Sequence, residues 1–423
     1  MTSVQNVVLL SIDALRADHL SCHGYHRDTT PHLDDLAAAN LWFESAYSVS
    51  SHTREAIPGL LTGRYPDDAV DTNYRLAAEP IPSWVNDRVD TTAAFHSNPY
   101  VSRAFGYDRG FDAFDDDLHL GKHRLIALAQ RALDKLRNRH YARADEINDR
   151  SLSWLGSLAD DESFFLWNHY MDPHGPYIPP SEYRERYTDR RISDRKKQRL
   201  YKRAIRDPDS ITEAERQLLI DLYDAEIRYT DTQLEAFLHA LDRRGVLDET
   251  AIIITADHGD AFGEHGYYEH PRYLHEGLTH VPLVVRLPDA AVERVATPAS
   301  TLDISPTILD LLGLDADLPG QSLQALARER PDDRVVFAQA TGDDEDAPLR
   351  RFGAWSSTGR ALGTYDTDAG TTRITDQSEE VIAERLHEHI TERAGAGGRA
   401  DHTAESDVDE EIERRLSALG YKE

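Results

Sequence analysis

Two segments separated by more than half the chain share one design: Val7–Ile12 runs into Asp13, and Ala251–Ala256 runs into Asp257, so each apolar stretch stops on an acidic residue. A continuous run of Val, Ile and Leu predicts a strand buried on both faces, as in a parallel sheet covered by helices. The acid then falls at the carboxyl end of the strand, where open α/β sheets place their sites. With His258 next to Asp257, two carboxylates and an imidazole can converge on one divalent cation, since Mg²⁺, Mn²⁺, Ca²⁺ and Zn²⁺ accept such ligands. Taken singly, each acid would read as the cap of a following helix.

The 423 residues suffice for one large α/β domain with a small appendage. A formal net charge of -29, with lysine scarce beside arginine, argues against nucleic acid or an anionic membrane as partner. The acid is spread along helical faces and loops, a pattern expected of a protein that stays hydrated in concentrated salt, and so of a halophilic source. A single cysteine, Cys22, excludes an intrachain disulfide framework and a Cys-based zinc cluster. The first apolar run is too short for a signal-peptide core and no other stretch reaches the length of a membrane span, so a cytoplasmic location is expected.

Strand-like and helix-like segments alternate, which predicts a large mixed sheet sandwiched by helices. Thr30-Pro31 opens a helix, Leu41–Ala46 reads as a strand, and Thr53 caps a helix that ends at Gly63. Thr91–Phe95 and Phe164–Trp167 are further strands, the second leaving Asn168 and His169 at its exit. Lys122–Leu158 and Leu218–Leu241 carry helical periodicity, Pro282–Arg286 reads as a strand, and Thr301–Leu312 as a helix. Arg184–Arg206 is dense in charge and reads as a solvated excursion. Short segments from Arg334 predict a small antiparallel C-terminal sheet with a helix. The expected division is 1–333 for a catalytic domain, 334–394 for a small subdomain, and 395–423 for a linker and terminal helix.

In this order the chain carries Ser11-Ile12-Asp13-Ala14-Leu15-Arg16-Ala17-Asp18-His19, Thr30-Pro31-His32-Leu33-Asp34, Leu60-Leu61-Thr62-Gly63-Arg64-Tyr65-Pro66, His169-Tyr170-Met171-Asp172-Pro173-His174-Gly175-Pro176-Tyr177, Thr255-Ala256-Asp257-His258-Gly259 and Gly263-Glu264-His265-Gly266. Together these resemble the sulfatase family of the alkaline phosphatase superfamily, over roughly Asn6 to Leu323. The resemblance implies hydrolysis of sulfuric or phosphoric esters of small molecules by a metal-bound hydroxyl or hydrated aldehyde. In sulfatases the nucleophile is a formylglycine made from Cys or Ser, followed by Pro two residues on and Arg four residues on.

This chain departs from that pattern. Counting back from Thr62-Gly63 without a gap puts Thr53 at the nucleophile position, with Ile57 in place of the Arg. A rival alignment uses Ser50, which restores an Arg at Arg54 but puts His52 where Pro belongs and needs an insertion. Threonine is no formylglycine precursor, so Thr53 would act as an alkoxide, as in superfamily relatives that cleave phosphodiesters or transfer phosphoglycerol groups. A simple helix cap is the other reading of Thr53.

By resemblance the metal site is Asp13, Thr53, Asp257 and His258, holding one divalent ion (Mn, Zn, Mg or Ca). The family's second Asp is replaced by Ala14, which shifts the preference from Ca²⁺ towards Mn²⁺ or Zn²⁺. His174 is the expected partner of the ester oxygens or of the leaving group, or else a brace of its loop. His169 and Asn98 are candidates for substrate binding, each with an alternative in packing or in turn formation before Pro99. The family's lysine after Gly-Glu-His-Gly is absent, and His270 stands nearest its place. Arg54, Arg272 and His280 complete the substrate-binding candidates. The missing Asp and Lys also leave open a catalytically silent relative that binds an anion.

Overall fold

The computed structural model describes residues 4–118, 141–288, 292–342 and 346–394. Eight strands form the main sheet, in the order Glu293–Val295, Leu41–Phe43, Leu283–Arg286, Thr250–Ala256, Asn6–Ile12, Phe164–Tyr170, Thr91–Phe95 and Ala113–Asp115. Its centre is parallel: Asn6–Ile12 lies between Phe164–Tyr170 and Thr250–Ala256, parallel to both. Leu283–Arg286 runs against both of its neighbours, which makes the sheet mixed.

The central strands are apolar without alternation because both of their faces are covered. Val8, Leu10 and Ile12 face one layer with Leu222, Ile227 and Phe237, while Val7 and Leu9 face the other with Ile57, Leu60 and Ile308. The first layer includes the 32-residue helix Glu213–Arg244, capped at its start by the reciprocal Thr212–Glu215 box and at its end by Gly245 in the left-handed conformation. The second contains the helix Thr53–Thr62, which ends at Gly63 with φ 66°.

Four antiparallel strands, Val336–Thr341, Leu349–Trp355, Arg360–Asp366 and Thr371–Gln377, form the small C-terminal sheet. One face carries the helix Glu380–Arg393 through Phe352, Ala354, Ile382, Leu386 and Ile390. Val336, Ala338, Ala340 and Trp355 on the other face pack with Leu274 and Tyr47. Two main-chain donors stitch this sheet to the catalytic layer: Gln339 N–H donates to the Val49 carbonyl at 2.8 Å, and Thr341 N–H to Glu55 Oε1 at 3.3 Å.

Several local expectations change. The N-cap of the Thr53 helix is His52, whose Nδ1 accepts from Arg54 N–H, and Thr53 is the first helical residue. Asn168 and His169 lie inside a strand that continues to Tyr170, because their side chains find polar partners within the sheet. The stretch Leu41–Ala46 is broken into the strands Leu41–Phe43 and Ala46–Tyr47, which join different sheets. The charged stretch Arg184–Arg206 is largely helical, with Ser181–Tyr187 and Asp194–Arg206, and it buries Lys197, Tyr201 and Ala204 at i, i+4 and i+7. The strand Thr371–Gln377 escaped the sequence reading because one face is open to solvent and it lacks an apolar run. The terminal helix expected over Glu410–Leu419 and the first part of the Lys122–Leu158 helix fall outside the described residues; within the latter, Ala144–Leu155 is a helix. Among the described residues no helix is long and apolar enough to cross a membrane.

Candidate active site

Strand register brings the two acids together. Ile12 pairs with Ala256, so Asp13 and Asp257 leave neighbouring parallel strands at the same level. Their backbones are fixed there by Asp13 N–H donating to the Tyr170 carbonyl at 2.8 Å and Asp257 N–H to the Ile12 carbonyl at 3.3 Å. Gly259, next in line, admits no side chain, since a Cβ would lie 2.1 Å from the Gly277 carbonyl oxygen. Its N–H donates to Leu278 O at 2.8 Å and holds the Asp-His-Gly turn against the following segment.

Asp13, Asp257 and His258 are fully buried and offer ligand atoms that all lie within 4.8 Å of one another. Asp13 Oδ2 accepts from Asn98 Nδ2 at 2.8 Å, and Asp257 Oδ1 accepts from the Ala14 and His258 N–H groups at 3.2 and 2.8 Å. The remaining oxygens, Asp13 Oδ1 and Asp257 Oδ2, have no hydrogen-bond partner. Buried carboxylate oxygens without a donor carry a large desolvation cost unless a cation meets them. His258 Nδ1 lies 2.8 Å from the Gly259 carbonyl, so Nδ1 carries the proton and Nε2 keeps its lone pair. Nε2 is 3.6 Å from Asp13 Oδ1 and from Asp257 Oδ2. The donor set therefore fits a divalent cation.

Thr53 Oγ1 is buried and sits 3.0 Å from His258 Nε2, at the start of its helix. The rival hydroxyl, Ser50 Oγ, instead donates to Glu55 Oε2 at 2.8 Å. Glu55 is itself buried and paired with Arg272 Nη1 at 2.8 Å, so Arg272 braces the Thr53 helix from within. Sequence reasoning passed over Glu55; its signal was an acid lying between apolar turns of a buried helix. The Arg54 guanidinium stacks on Tyr100 and Tyr74 at 4.2 and 4.8 Å from the ring centres.

His174 and His270 meet Nε2 to Nε2 at 2.9 Å, and His174 Nδ1 donates to the Gly175 carbonyl at 2.7 Å. One proton thus lies between the two rings. The His270 ring centre is 4.4 Å from that of His258 and 5.2 Å from that of His52. His169 Nδ1 is held at 2.9 Å by the Ser11 hydroxyl, which accepts from Trp167 Nε1, and His169 Nε2 faces Asp13 Oδ2 at 3.5 Å. Asn98 uses its amide on Asp13 and its carbonyl on Tyr100 N–H, so its contacts are to the protein. His280 does not join the group: its Nε2 meets the Glu44 carbonyl at 2.9 Å and its ring stacks on Tyr47.

Electrostatics follow from this crowding. Burial alone would raise the pKa of Asp13, but His174, His169 and His258 hold it down to about 2. Burial and the neighbouring Asp13 charge raise Asp257. Burial opposes a charge on His258, yet Asp257 and Asp13 raise its pKa. His270 and His52 are driven well below the ordinary histidine value, His270 chiefly by burial among neighbouring histidines, His52 by burial and the charges of Arg272 and Arg54. Asp260, which sequence reasoning also passed over, receives the Tyr177 hydroxyl at 2.5 Å and ties the His174 loop to the Asp257 strand.

A mixed sheet whose parallel centre carries a candidate carboxylate–imidazole metal site at its carboxyl edge, beside a hydroxyl at a helix start, fits a hydrolase of sulfuric and phosphoric esters. The sulfatase family profile matches residues 5–314, and the chain belongs to that family. It is 25% identical over 366 residues to the uncharacterized sulfatase YidJ of Escherichia coli K12, covering 77% of this chain and 71% of that protein. It is 21% identical over 408 residues to the N-acetylglucosamine-6-O-sulfatase of Bacteroides thetaiotaomicron, covering 76% and 71%. Its fold matches the phosphonate monoester hydrolase of Agrobacterium radiobacter with a TM-score of 0.70 and 21% identity, over 93% of this chain and 95% of that one.

Proposed function

We propose that the protein hydrolyses a sulfate or phosphate ester carried on a small molecule of the sugar class, with Thr53 as nucleophile. The observation that carries this reading is the placement of the Thr53 hydroxyl against the Asp13–Asp257–His258 set. A divalent cation held by these three residues would lower the pKa of a neighbouring hydroxyl and neutralise charge on the ester oxygens. Thr53 Oγ1, its proton passing to solvent, attacks sulfur or phosphorus in line; the new bond forms as the bond to the ester oxygen breaks. The departing oxygen takes a proton from the His174–His270 pair. Water, giving one proton back to that pair, then attacks sulfur or phosphorus and breaks its bond to Thr53 Oγ1, which regains its proton from solvent. Arg54 and the N-terminal turn of its helix provide positive potential for the anionic group.

Threonine supports the phosphoester side of this class. A formylglycine hydrate has a second hydroxyl to expel sulfate, whereas a threonine ester must be cleaved by water at the transferred group. The sugar class is supported by the named substrate of the Bacteroides relative.

The test is turnover of 4-nitrophenyl sulfate, 4-nitrophenyl phosphate and bis(4-nitrophenyl) phosphate with added Mn²⁺, with Thr53→Ala as control. Hydrolysis of any of the three that disappears in Thr53→Ala supports the reading. Turnover that survives the substitution removes Thr53 from the role.

A further inference from the structure

Two polar groups that the hydrolysis does not use flank the His174–His270 pair. The Tyr201 ring lies against Gly175, the residue after His174: a Cβ on Gly175 would come within 2.1 Å of the ring and 2.3 Å of the hydroxyl. Tyr201 is 3% exposed, and its hydroxyl has no hydrogen-bond partner among the described residues. Glu269 directly precedes His270. Its Oε1 is likewise shut off from solvent and without a partner among the described residues. Its backbone stands at φ 68°, a left-handed conformation that costs energy for a residue with a long side chain. The helix Asp194–Arg206, which carries Tyr201, packs on the short strand Tyr268–Glu269, so the two groups come from adjoining elements.

A chain of contacts connects both groups to Thr53. The Gly175 carbonyl accepts from His174 Nδ1, and His174 meets His270 Nε2 to Nε2. The His270 ring centre lies 4.4 Å from that of His258, whose Nε2 faces the Thr53 hydroxyl. After burial itself, the charges that raise the pKa of the Tyr201 hydroxyl are those of Glu269, Asp260 and Asp13, so this hydroxyl stands within the field of a metal-site carboxylate. Burial, reinforced by the Asp260 charge, pushes Glu269 up to about 8. A buried donor or acceptor without a partner carries a cost that a ligand group can remove. The anionic end of an ester is not that ligand group, because it belongs with Thr53 and Arg54, and a wall holding Glu269 and Asp260 repels negative charge. The His174–His270 pair serves the departing oxygen, so groups alongside the pair meet what lies beyond that oxygen, the alcohol half. Tyr201 Oη donates or accepts, and a Glu269 carboxyl that keeps its proton near neutral pH does both; a hydroxyl, which also donates and accepts, matches the two together.

We propose that Tyr201 and Glu269 are specificity-determining residues that hold the leaving alcohol through a hydroxyl next to its ester carbon. The proposal rests on the ester-hydrolase reading above and adds the residues that read the uncharged half of the substrate. Selection of this kind acts by exclusion: an analogue lacking the hydroxyl leaves both buried groups unpaired.

The probes are the 2-hydroxymethyl-4-nitrophenyl and 2-methyl-4-nitrophenyl esters, each as sulfate and as phosphate, which differ by one hydroxyl. Binding is measured by calorimetry on the full-length, Mn²⁺-loaded Thr53→Ala protein, so that affinity is read without turnover. The hydroxymethyl ester should bind at least about tenfold more tightly than the methyl ester. Adding Tyr201→Phe or Glu269→Ala should reduce that preference to about twofold or less, with the affinity for the methyl ester and the thermal midpoint unchanged. Glu269→Gln, neutral and of the same shape, should keep the preference. Binding without the preference overturns this proposal and leaves the ester-hydrolase reading standing. So does a preference that survives both substitutions, or an equal loss for the two esters, which marks a structural role. Binding of neither ester overturns both readings.

Discussion

The Thr53 hydroxyl lies 3.0 Å from Nε2 of His258, a residue 205 positions further along the chain. Both atoms are buried, and both sit where a short apolar element ends: Thr53 at the start of a helix, His258 one residue past Asp257 at the end of a strand. A hydroxyl in that position is available to a cation on the carboxylates.

Asp257→Asn and Asp13→Asn should each abolish stoichiometric metal, because each removes a charge that offsets the burial of the cation. Elemental analysis should read below about 0.1 ion per chain, against about one for the parent. Thr53→Ala, which leaves all three charged or imidazole ligands, should keep most of its metal. Full occupancy in Asp257→Asn would remove that residue from the ligand set.

Thr53→Ala should lower kcat by about three orders of magnitude or more, while Thr53→Ser should retain measurable turnover. Quenched-flow trapping of a covalent ester in the parent, absent in the alanine variant, is the direct check. An equal loss in the alanine and serine variants would point to packing of the threonine methyl group.

His174→Ala and His270→Ala should each depress hydrolysis more for an alkyl ester than for a 4-nitrophenyl ester, since a poor leaving group depends more on the donated proton. A loss of the order of 10²-fold on the alkyl ester is expected. Identical losses on both substrates would assign the pair to binding.

Much of this site is legible in the sequence because its chemistry sits at the ends of strongly apolar strands and at one helix start. Asp13, Asp257, His258 and Thr53 announce themselves in that way. The Glu55–Arg272 pairing and the role of Asp260 do not, since a buried ion pair or a carboxylate accepting a tyrosine hydrogen bond exists only once distant segments pack. The same holds for Asn98: the sequence shows a turn before Pro99, while its amide partner, Asp13, comes from another strand. The Asp194–Arg206 helix was hidden by its charge, which masked the sparse buried positions Lys197, Tyr201 and Ala204.

Arg272→Met should destabilise the fold by about 3–5 kcal/mol by leaving Glu55 buried without its cation. Glu55→Gln with Arg272→Met should recover part of that loss, as removing both charges removes the desolvation penalty. Chemical denaturation of the two single variants and the double variant measures the coupling.

His96 gives the acid limb of stability. It is fully buried between Phe114 and Trp167, its ring nitrogens have no partner, and burial lowers its pKa from 6.5 to about 3. The folded state therefore favours the neutral ring: its contribution is intact above pH 6.5 and is lost as pH falls towards 3, because only the unfolded chain takes up the proton in that window. His96→Phe should flatten the fall in stability over this range by up to roughly 4 kcal/mol, read from urea midpoints at successive pH values. An unchanged acid limb would exclude His96 as a contributor.

The C-terminal sheet reaches the Thr53 helix and the segment leading into it, Gln339 N–H on the Val49 carbonyl ahead of the helix and Thr341 N–H on the Glu55 carboxylate in its first turn. One strand edge thereby sets the height of the helix that carries the hydroxyl. An exchange of this sheet for that of a relative would shift the hydroxyl relative to Asp13 and Asp257 unless residues 49–55 were exchanged with it. A chimera that replaces residues 336–341 therefore has to carry residues 49–55 with them, two pieces of sequence nearly 300 positions apart that act as one part.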